Sequence, residues 1–235
     1  MKIALIGYGK MGKAIEKIAL KKGHEIIARF ASQGVDNELL ALADVAIEFS
    51  KPDVAIQNIK TCFELNVPII CGTTGWLEQK EDILQAVNRT NNAFLYASNF
   101  SIGVNLFFAI NKYVAQMMNE QAQYDVRVEE IHHTAKLDAP SGTAISIAND
   151  ILANLDRKTK WVSEKSENQM DLSIFAVRED PAPGTHVITY DSPIDSIEIK
   201  HTAHSREGFA SGAVLAAEWI VGKKGVFSMN DVLGF

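Results

Sequence analysis

The chain has 235 residues, of which 47 % are hydrophobic, and carries a formal net charge of −6. Length and composition are those of a globular protein with enough apolar material for two compact domains. The acidic balance argues against a nucleic-acid partner held by bulk charge, and apolar runs such as 67–71 and 104–110 fall far short of a membrane span. A strand pattern opens at once, where a signal peptide would show a charged start and a longer apolar stretch. Cys62 and Cys71 lack metal-ligand spacing and read as reduced thiols of a cytoplasmic protein.

Lys2–Ile6 reads as a buried strand. Gly7, Gly9 and Gly12 follow in the spacing G-x-G-x-x-G, and a helical pattern through Met11, Ile15 and Ile18 runs on to Gly23. Strand, glycine turn and helix form the context a dinucleotide site requires. Gly7 makes the tight turn, Gly9 admits a pyrophosphate and Gly12 lets helix and strand pack closely. Tyr8, Lys10 and Met11 share that turn, whose helix start faces the phosphates. The second strand, His24–Phe30, has no carboxylate near its end to hold ribose hydroxyls. Lys10, Arg29 and Ser32 offer a seat for a 2′-phosphate; the alternative for Arg29 is a solvated surface charge.

The strand–helix alternation continues with a strand at 44–49, a helix at 53–65 and a strand at 67–71. A helix at 78–88 and a strand at 93–97 complete the series. The strand ends carry Gly72, Thr73 and Thr74, then Ala97, Ser98, Asn99 and Phe100. In open parallel sheets ligands bind outside the carboxyl ends of strands, so these small polar residues are candidates for the nicotinamide end of the cofactor.

The pattern then changes. Positions 102–118 form a long apolar-periodic helix, whose Val104, Phe107, Phe108, Ile110, Val114, Met117 and Met118 read as core. A strand at 124–131 delivers His132 at its end. A helix follows at 143–155, and strands lie at 172–177, 185–190 and 196–201. Positions 157–168 read as a mobile polar loop. A helix at 209–222 has an apolar stripe fit to dock on the first domain.

Residues 129–144, EEIHHTAKLDAPSGTA, concentrate chemistry. His132 titrates near neutrality and suits proton transfer. His133 and Lys136 supply positive hydrogen-bonding groups, with Arg206 a further candidate. Ser141, Gly142 and Thr143 open a helix whose N–H groups suit a carboxylate. Together they suit a site that binds a dicarboxylate and protonates it. Blander readings stand beside this one. Ser141 is an N-cap, Lys136 alone is a surface charge, and Asp138 orients the loop. Glu129 and Glu130 are strand-end charges, one of which orients an imidazole. His186, His201 and His204 take structural or rim roles.

The glycine turn, GTTGW at 72–76, ASNFSIGVN at 97–105, EIHHTAKLDAPSGTA at 130–144 and HSREGFASGAV at 204–214 occur in this order. Together they resemble the dihydrodipicolinate reductase family across essentially the whole chain. The resemblance implies an α/β chain: a Rossmann-like dinucleotide-binding domain at 1–101 with 207–235, and an α+β substrate and oligomerisation domain at 102–206 with a mostly antiparallel or mixed sheet. It implies NADH or NADPH as hydride donor, a cyclic imine dicarboxylate as substrate and a homotetramer. By motif position, His132 is the proton donor/acceptor and Lys136 a proton donor, with His133, Gly142 and Thr143 binding substrate. Two departures stand out. The family's charged pair after the second strand is missing, and Gly184-Thr185-His186 stands where the family has Gly-Glu-His. Two other readings remain open: a different two-domain NAD(P)-dependent dehydrogenase, and a dinucleotide-sensing module without catalysis.

Overall fold

A computed structural model describes residues 1–205 and 207–235; Arg206, the further carboxylate candidate, lies outside them. The chain divides into two units, Met1–Ile102 with Glu207–Phe235, and Gly103–Arg206.

In the first unit, β1 (Lys2–Ile6) is buried at its four apolar positions. Ile3 and Leu5 enter one core with Ile15, while Ala4 and Ile6 enter another with Ile59. A strand apolar on both faces belongs in a sheet covered on both sides. Then come α1 (Lys10–Lys21), β2 (Glu25–Phe30), a single turn α2 (Asn37–Leu40), β3 (Val45–Glu48), α3 (Pro52–Glu64), β4 (Ile69–Cys71), α4 (Lys80–Thr90) and β5 (Ala93–Tyr96). Proline at the start of α3 costs no hydrogen bond.

The second unit holds most of α5 (Ile102–Met118), then β6 (Asp125–His132), α6 (Gly142–Leu152), β7 (Lys160–Val162), β8 (Asp171–Arg178), β9 (Thr185–Asp191) and β10 (Ser196–Thr202). The chain returns to the first unit with α7 (Glu207–Ile220), β11 (Gly225–Phe227) and α8 (Met229–Leu233).

The first sheet has the order β11-β5-β4-β3-β1-β2 and is parallel throughout. Its strand order turns at β1, the switch point where α/β sheets bind ligands. Helix α7 lies close to β5: a Cβ at Gly212 would sit 1.7 Å from the Phe100 carbonyl oxygen, so only glycine fits. The second sheet has the order β10-β9-β6-β8-β7 and is mixed. Its central strand β6 pairs antiparallel with β9 and parallel with β8. Val126 and Val128 of β6 join Phe107 of α5 and Ile147 and Ile151 of α6 in one core.

Two expectations are corrected. Positions 157–168 are not loop throughout: Lys160–Val162 form β7, and the two residues at the segment's start are anchored. The Arg157 guanidinium donates to the carbonyls of Met118, Asn119 and Tyr124 at 2.9–3.1 Å. Buried Lys158 donates to those of Gln169 and Asp171 and pairs with Asp125 at 2.6 Å. These cations satisfy carbonyls at the end of α5 and at the starts of β6 and β8. On α5, Ile110 and Met117 are about half exposed and do not join the core. Residues 225–227 at the tail supply a sixth strand to the first sheet. No described helix is long and apolar enough to cross a membrane.

Candidate active site

The first unit carries a cavity of about 470 Å³ at the carboxyl ends of β1, β2 and β3, lined by Gly7, Tyr8, Gly9, Ser32, Phe49 and Ser50 among others. The three glycines differ in what surrounds them. Gly7 has φ +95°, and a Cβ there would meet the Phe49 carbonyl oxygen at 2.0 Å. A Cβ at Gly12 would meet the Gly7 oxygen at 2.4 Å, whereas one at Gly9 meets nothing within 4 Å. Gly7 and Gly12 are thus required by the backbone, and Gly9 keeps space open. Gly9 is also the N-cap of α1 and provides no side chain to satisfy the helix start. Open space against uncapped N–H groups fits a pyrophosphate.

The other nucleotide candidates divide. Lys10 is exposed at the first position of α1, and Met11 packs against the core. Arg29 is engaged: its Nε donates to Glu16 Oε1 at 2.7 Å, and the Tyr8 hydroxyl donates to the same carboxylate. The Arg29 hydrogen bond, followed by that of Tyr8, holds the Glu16 carboxyl below its ordinary range. Thr73 accepts the Ser50 N–H at 2.8 Å on its hydroxyl and the Trp76 indole N–H at 2.7 Å on its carbonyl. It therefore joins the ends of β3 and β4. Gly72 leaves room for the Phe49 ring, which a Cβ would meet at 2.2 Å. Thr74 and Ser98 are exposed, and Ala97 donates its N–H to Cys71. Asn99 Oδ1 accepts the Ser101 N–H, and Phe100 is buried against Phe49 with ring centroids 5.5 Å apart. Sequence patterns gave no sign of Glu48, fully buried at the end of β3. There its carboxylate accepts the Ser50 N–H at 3.1 Å and faces Cys71 Sγ at 3.2 Å.

The second unit builds its site from sheet register. Glu130 stands opposite His186 on β9, and His132 stands opposite Arg178 on β8. Two residues apart on β6, Glu130 and His132 share a face. All four polar groups therefore meet at one end of three adjacent strands. Glu130 is fully buried. Its two oxygens accept the Ser141 N–H at 3.0 and 3.1 Å, and Oε1 accepts from Arg178 Nη2 at 3.1 Å. Oε2 lies 3.5 Å from His132 Nδ1 and 3.8 Å from His186 Nε2. The two imidazoles meet edge to face, centroids 5.1 Å apart.

Ser141 is an N-cap, accepting the Ala144 N–H at 3.2 Å, and its hydroxyl also lies 3.3 Å from His186 Nε2. Helix α6 starts at Gly142, with Gly142 exposed and Thr143 partly so. Lys136 Nζ contacts both oxygens of Asp138, at 2.7 and 2.8 Å. Arg178 Nη2 donates to the Asp138 carbonyl at 2.6 Å, tying this loop to the strands. His133 is half-buried, its N–H donating to the Ala182 carbonyl at 2.8 Å.

Burial lowers the pKa of His132; Glu130 opposes this, and Lys136 and Arg178 add to it. Burial pushes His186 down to about 3, with the charges of His132, His201 and Lys136 in the same direction. Glu130, His132 and His186 lie close enough for a metal ion. The carboxylate already accepts from a backbone N–H and a guanidinium, contacts with which a metal ion at this trio would compete.

The structure brings His132, Lys136, Ser141 and the start of α6 into one neighbourhood. His186, expected to be structural or at the rim, belongs to it too. Arg178 does as well, although nothing in its local sequence marked it.

The description "Dihydrodipicolinate reductase, N-terminus" matches residues 1–100, and "Dihydrodipicolinate reductase, C-terminus" matches residues 103–233. The chain belongs to the dihydrodipicolinate reductase family. Among dihydrodipicolinate reductase relatives, the 4-hydroxy-tetrahydrodipicolinate reductase of Christiangramia forsetii is 47 % identical, with 99 % of this chain and 98 % of that protein covered. The enzyme of the same description from Neisseria gonorrhoeae is 39 % identical, covering 92 % of this chain and 80 % of its own. In fold, the chain is similar to dipicolinate-bound dihydrodipicolinate reductase from Paenisporosarcina sp. TG-14 (TM-score 0.79, 22 % identity, 97 % of each chain).

Proposed function

We propose that the chain reduces 4-hydroxy-tetrahydrodipicolinate to tetrahydrodipicolinate with NADH or NADPH, in the diaminopimelate route to lysine; the 4-hydroxyl leaves as water, and the conjugated imine takes a hydride and a proton. The observation that carries this reading is the convergence of His132 and the start of α6 on the Glu130 carboxylate, with the charge of Lys136 acting on His132. That convergence supplies a proton, a fixed cation and an anion seat for a dicarboxylate imine, which a nucleotide sensor has no use for.

Gly7, Gly9 and the start of α1 hold the pyrophosphate, and Ser32 lies toward the ribose. When bound, the reduced nicotinamide supplies the hydride. The side chains do the rest. The N–H groups of Gly142 and Thr143 receive one substrate carboxylate, because Ser141 Oγ takes the Ala144 N–H and leaves theirs to a ligand. Lys136, fixed by Asp138, and His133 receive the other. His132 delivers its proton from Nε2 as negative charge develops on the ring framework. The carboxylates of a bound substrate oppose the charges of Lys136 and Arg178 that lower the pKa of His132. Substrate therefore favours the protonated imidazole from which the proton is taken.

Residues 31–35, directly after β2, include no carboxylate, and Arg29 is held by Glu16, so the ribose end discriminates weakly between the two cofactors. Ile131, Phe175 and Val187 lie outside the core of the second unit, and Val177 is 37 % exposed. This apolar sheet face supports assembly into a homotetramer. Cys62 and Cys71 are buried free thiols, in keeping with the cytoplasm.

The test is a purified-protein assay with freshly generated 4-hydroxy-tetrahydrodipicolinate. Loss of NAD(P)H absorbance is expected. Nucleotide binding without turnover would select the sensor.

A further inference from the structure

We infer that Glu130 is the positioning residue of the proton donor: its carboxylate keeps Nδ1 of His132 turned inward and Nε2 as the atom that exchanges the proton. This rests on the reading of His132 given above and adds a role for the group behind it.

Three observations carry the inference. First, His132 Nδ1 is buried and, among the described residues, has no hydrogen-bond partner. It faces Glu130 Oε2 at 3.5 Å, so a small adjustment of the ring completes a bond to the carboxylate. A buried imidazole nitrogen left unpaired is costly, and a carboxylate is the acceptor that fixes the Nδ1–H tautomer. Second, the residue beside Nε2 is a glycine. A Cβ at Gly184 would sit 3.1 Å from His132 Nε2. The missing side chain leaves room beside the nitrogen that must meet a substrate.

Third, Glu130 is itself immobilised. The Ser141 N–H and the Arg178 guanidinium both donate to it, and no part of it reaches solvent. A carboxylate held by a helix start and a cation on a neighbouring strand is a rigid reference for a ring two residues away. The same carboxylate fixes the first residues of α6, so acid and carboxylate seat share one support.

The charged and titratable groups around His132 are Glu130 on its own strand, Lys136 and Asp138 on the following loop, Arg178 on β8 and His186 on β9. Of these, Glu130 and Asp138 favour the imidazolium. Removing the charge of Glu130 leaves Lys136 and Arg178 opposed mainly by the more exposed Asp138, so His132 must then lose its proton at lower pH.

Glu130→Gln keeps size and an oxygen for the Ser141 N–H but removes the charge. The expected result is a fall in kcat of roughly 10- to 100-fold, the usual effect of disturbing a partner behind a functional histidine. KM for the imine substrate should stay within a few-fold, and NADPH affinity should be unchanged. The basic limb of kcat/KM and the NMR titration of His132 should both move to lower pH. Glu130→Asp keeps the charge and should restore the limb most of the way. A folded Glu130→Gln with wild-type limb and wild-type His132 titration would overturn the inference. So would a loss of kcat with the limb unmoved, which marks a purely structural role. If Glu130→Gln does not fold, the tautomer of neutral His132 in the wild-type protein, read by 15N NMR, decides: Nδ1–H is expected, and Nε2–H overturns the inference. The NMR titration needs no substrate, so it tests the carboxylate even if the wild-type protein shows no turnover and the reductase reading falls.

Discussion

The backbone N–H of Ser141 donates to both oxygens of the Glu130 carboxylate, at 3.0 and 3.1 Å. Helix α6 therefore starts from a fixed point on β6, and the N–H groups after it are held at a defined place. The Thr143 hydroxyl stands beside those N–H groups as a further donor to the substrate carboxylate, so Thr143→Val, which removes it, is expected to weaken substrate binding without displacing the helix. Losing a hydrogen bond to a charged group costs about 1.5–3 kcal/mol. KM should rise accordingly, by roughly 10- to 100-fold, with kcat within a few-fold. Steady-state kinetics at fixed NADPH measure this, and an unchanged KM would place the carboxylate seat elsewhere.

The glycine turn offers a paired test. At Gly12 a Cβ would lie 2.4 Å from the Gly7 oxygen, while at Gly9 it would meet no protein atom within 4 Å. Gly12→Ala should lower Tm, with overpacking of this kind costing about 1–3 kcal/mol. Gly9→Ala should melt like the wild type but bind NADH and NADPH more weakly, because its methyl group enters the space kept for the pyrophosphate. Thermal melts and nucleotide titrations separate the two. Equal nucleotide affinity in Gly9→Ala would move the phosphates away from this turn.

Glu16 neutralises Arg29 at the end of β2. Glu16→Gln should release that positive charge toward a ribose 2′-phosphate. The affinity ratio of NADPH to NADH is expected to rise by roughly 2- to 5-fold, the worth of a partly exposed charge interaction. The two dissociation constants, measured at low and high salt, check it. A ratio unmoved at low salt would show that Arg29 does not face the ribose.

Acid stability follows from the buried imidazoles. His186 has its pKa pushed down to about 3, so the folded protein holds it neutral while the unfolded chain protonates it near 6.5. The unfolded state then binds more protons between these values, and stability falls as pH drops below about 6.5. His132 and His201 are lowered by burial in the same sense. Tm should decline steadily from pH 7 to pH 4, with a shallower decline in His186→Asn. An identical slope in that variant would remove His186 from the acid response.

Local signals in the sequence exposed much of this arrangement. Gly7, Gly9 and Gly12 were legible because a strand, a turn and a helix sit within a dozen residues; the backbone requires Gly7 and Gly12, and Gly9 keeps space open. The helix at Ile102–Met118 was legible from its apolar period. His186 and Arg178 were not, because only pairing brings them to Glu130 and His132: each is about 50 residues away along the chain. The strands at Lys160–Val162 and Gly225–Phe227 have three residues each, too few to show a period. Their pairing comes from the neighbouring strand. The half-exposed Ile110 and Met117 show the opposite limit, since a helical stripe wider than the core looks the same as core in sequence.

The most direct measurement compares wild type with His132→Gln for NAD(P)H consumption on 4-hydroxy-tetrahydrodipicolinate, alongside NADPH binding. The variant should bind NADPH as the wild type does and turn over slower by ~2–4 orders of magnitude, the contribution of a positioned acid. Wild-type turnover in the variant would contradict the assignment and leave the proton to another group.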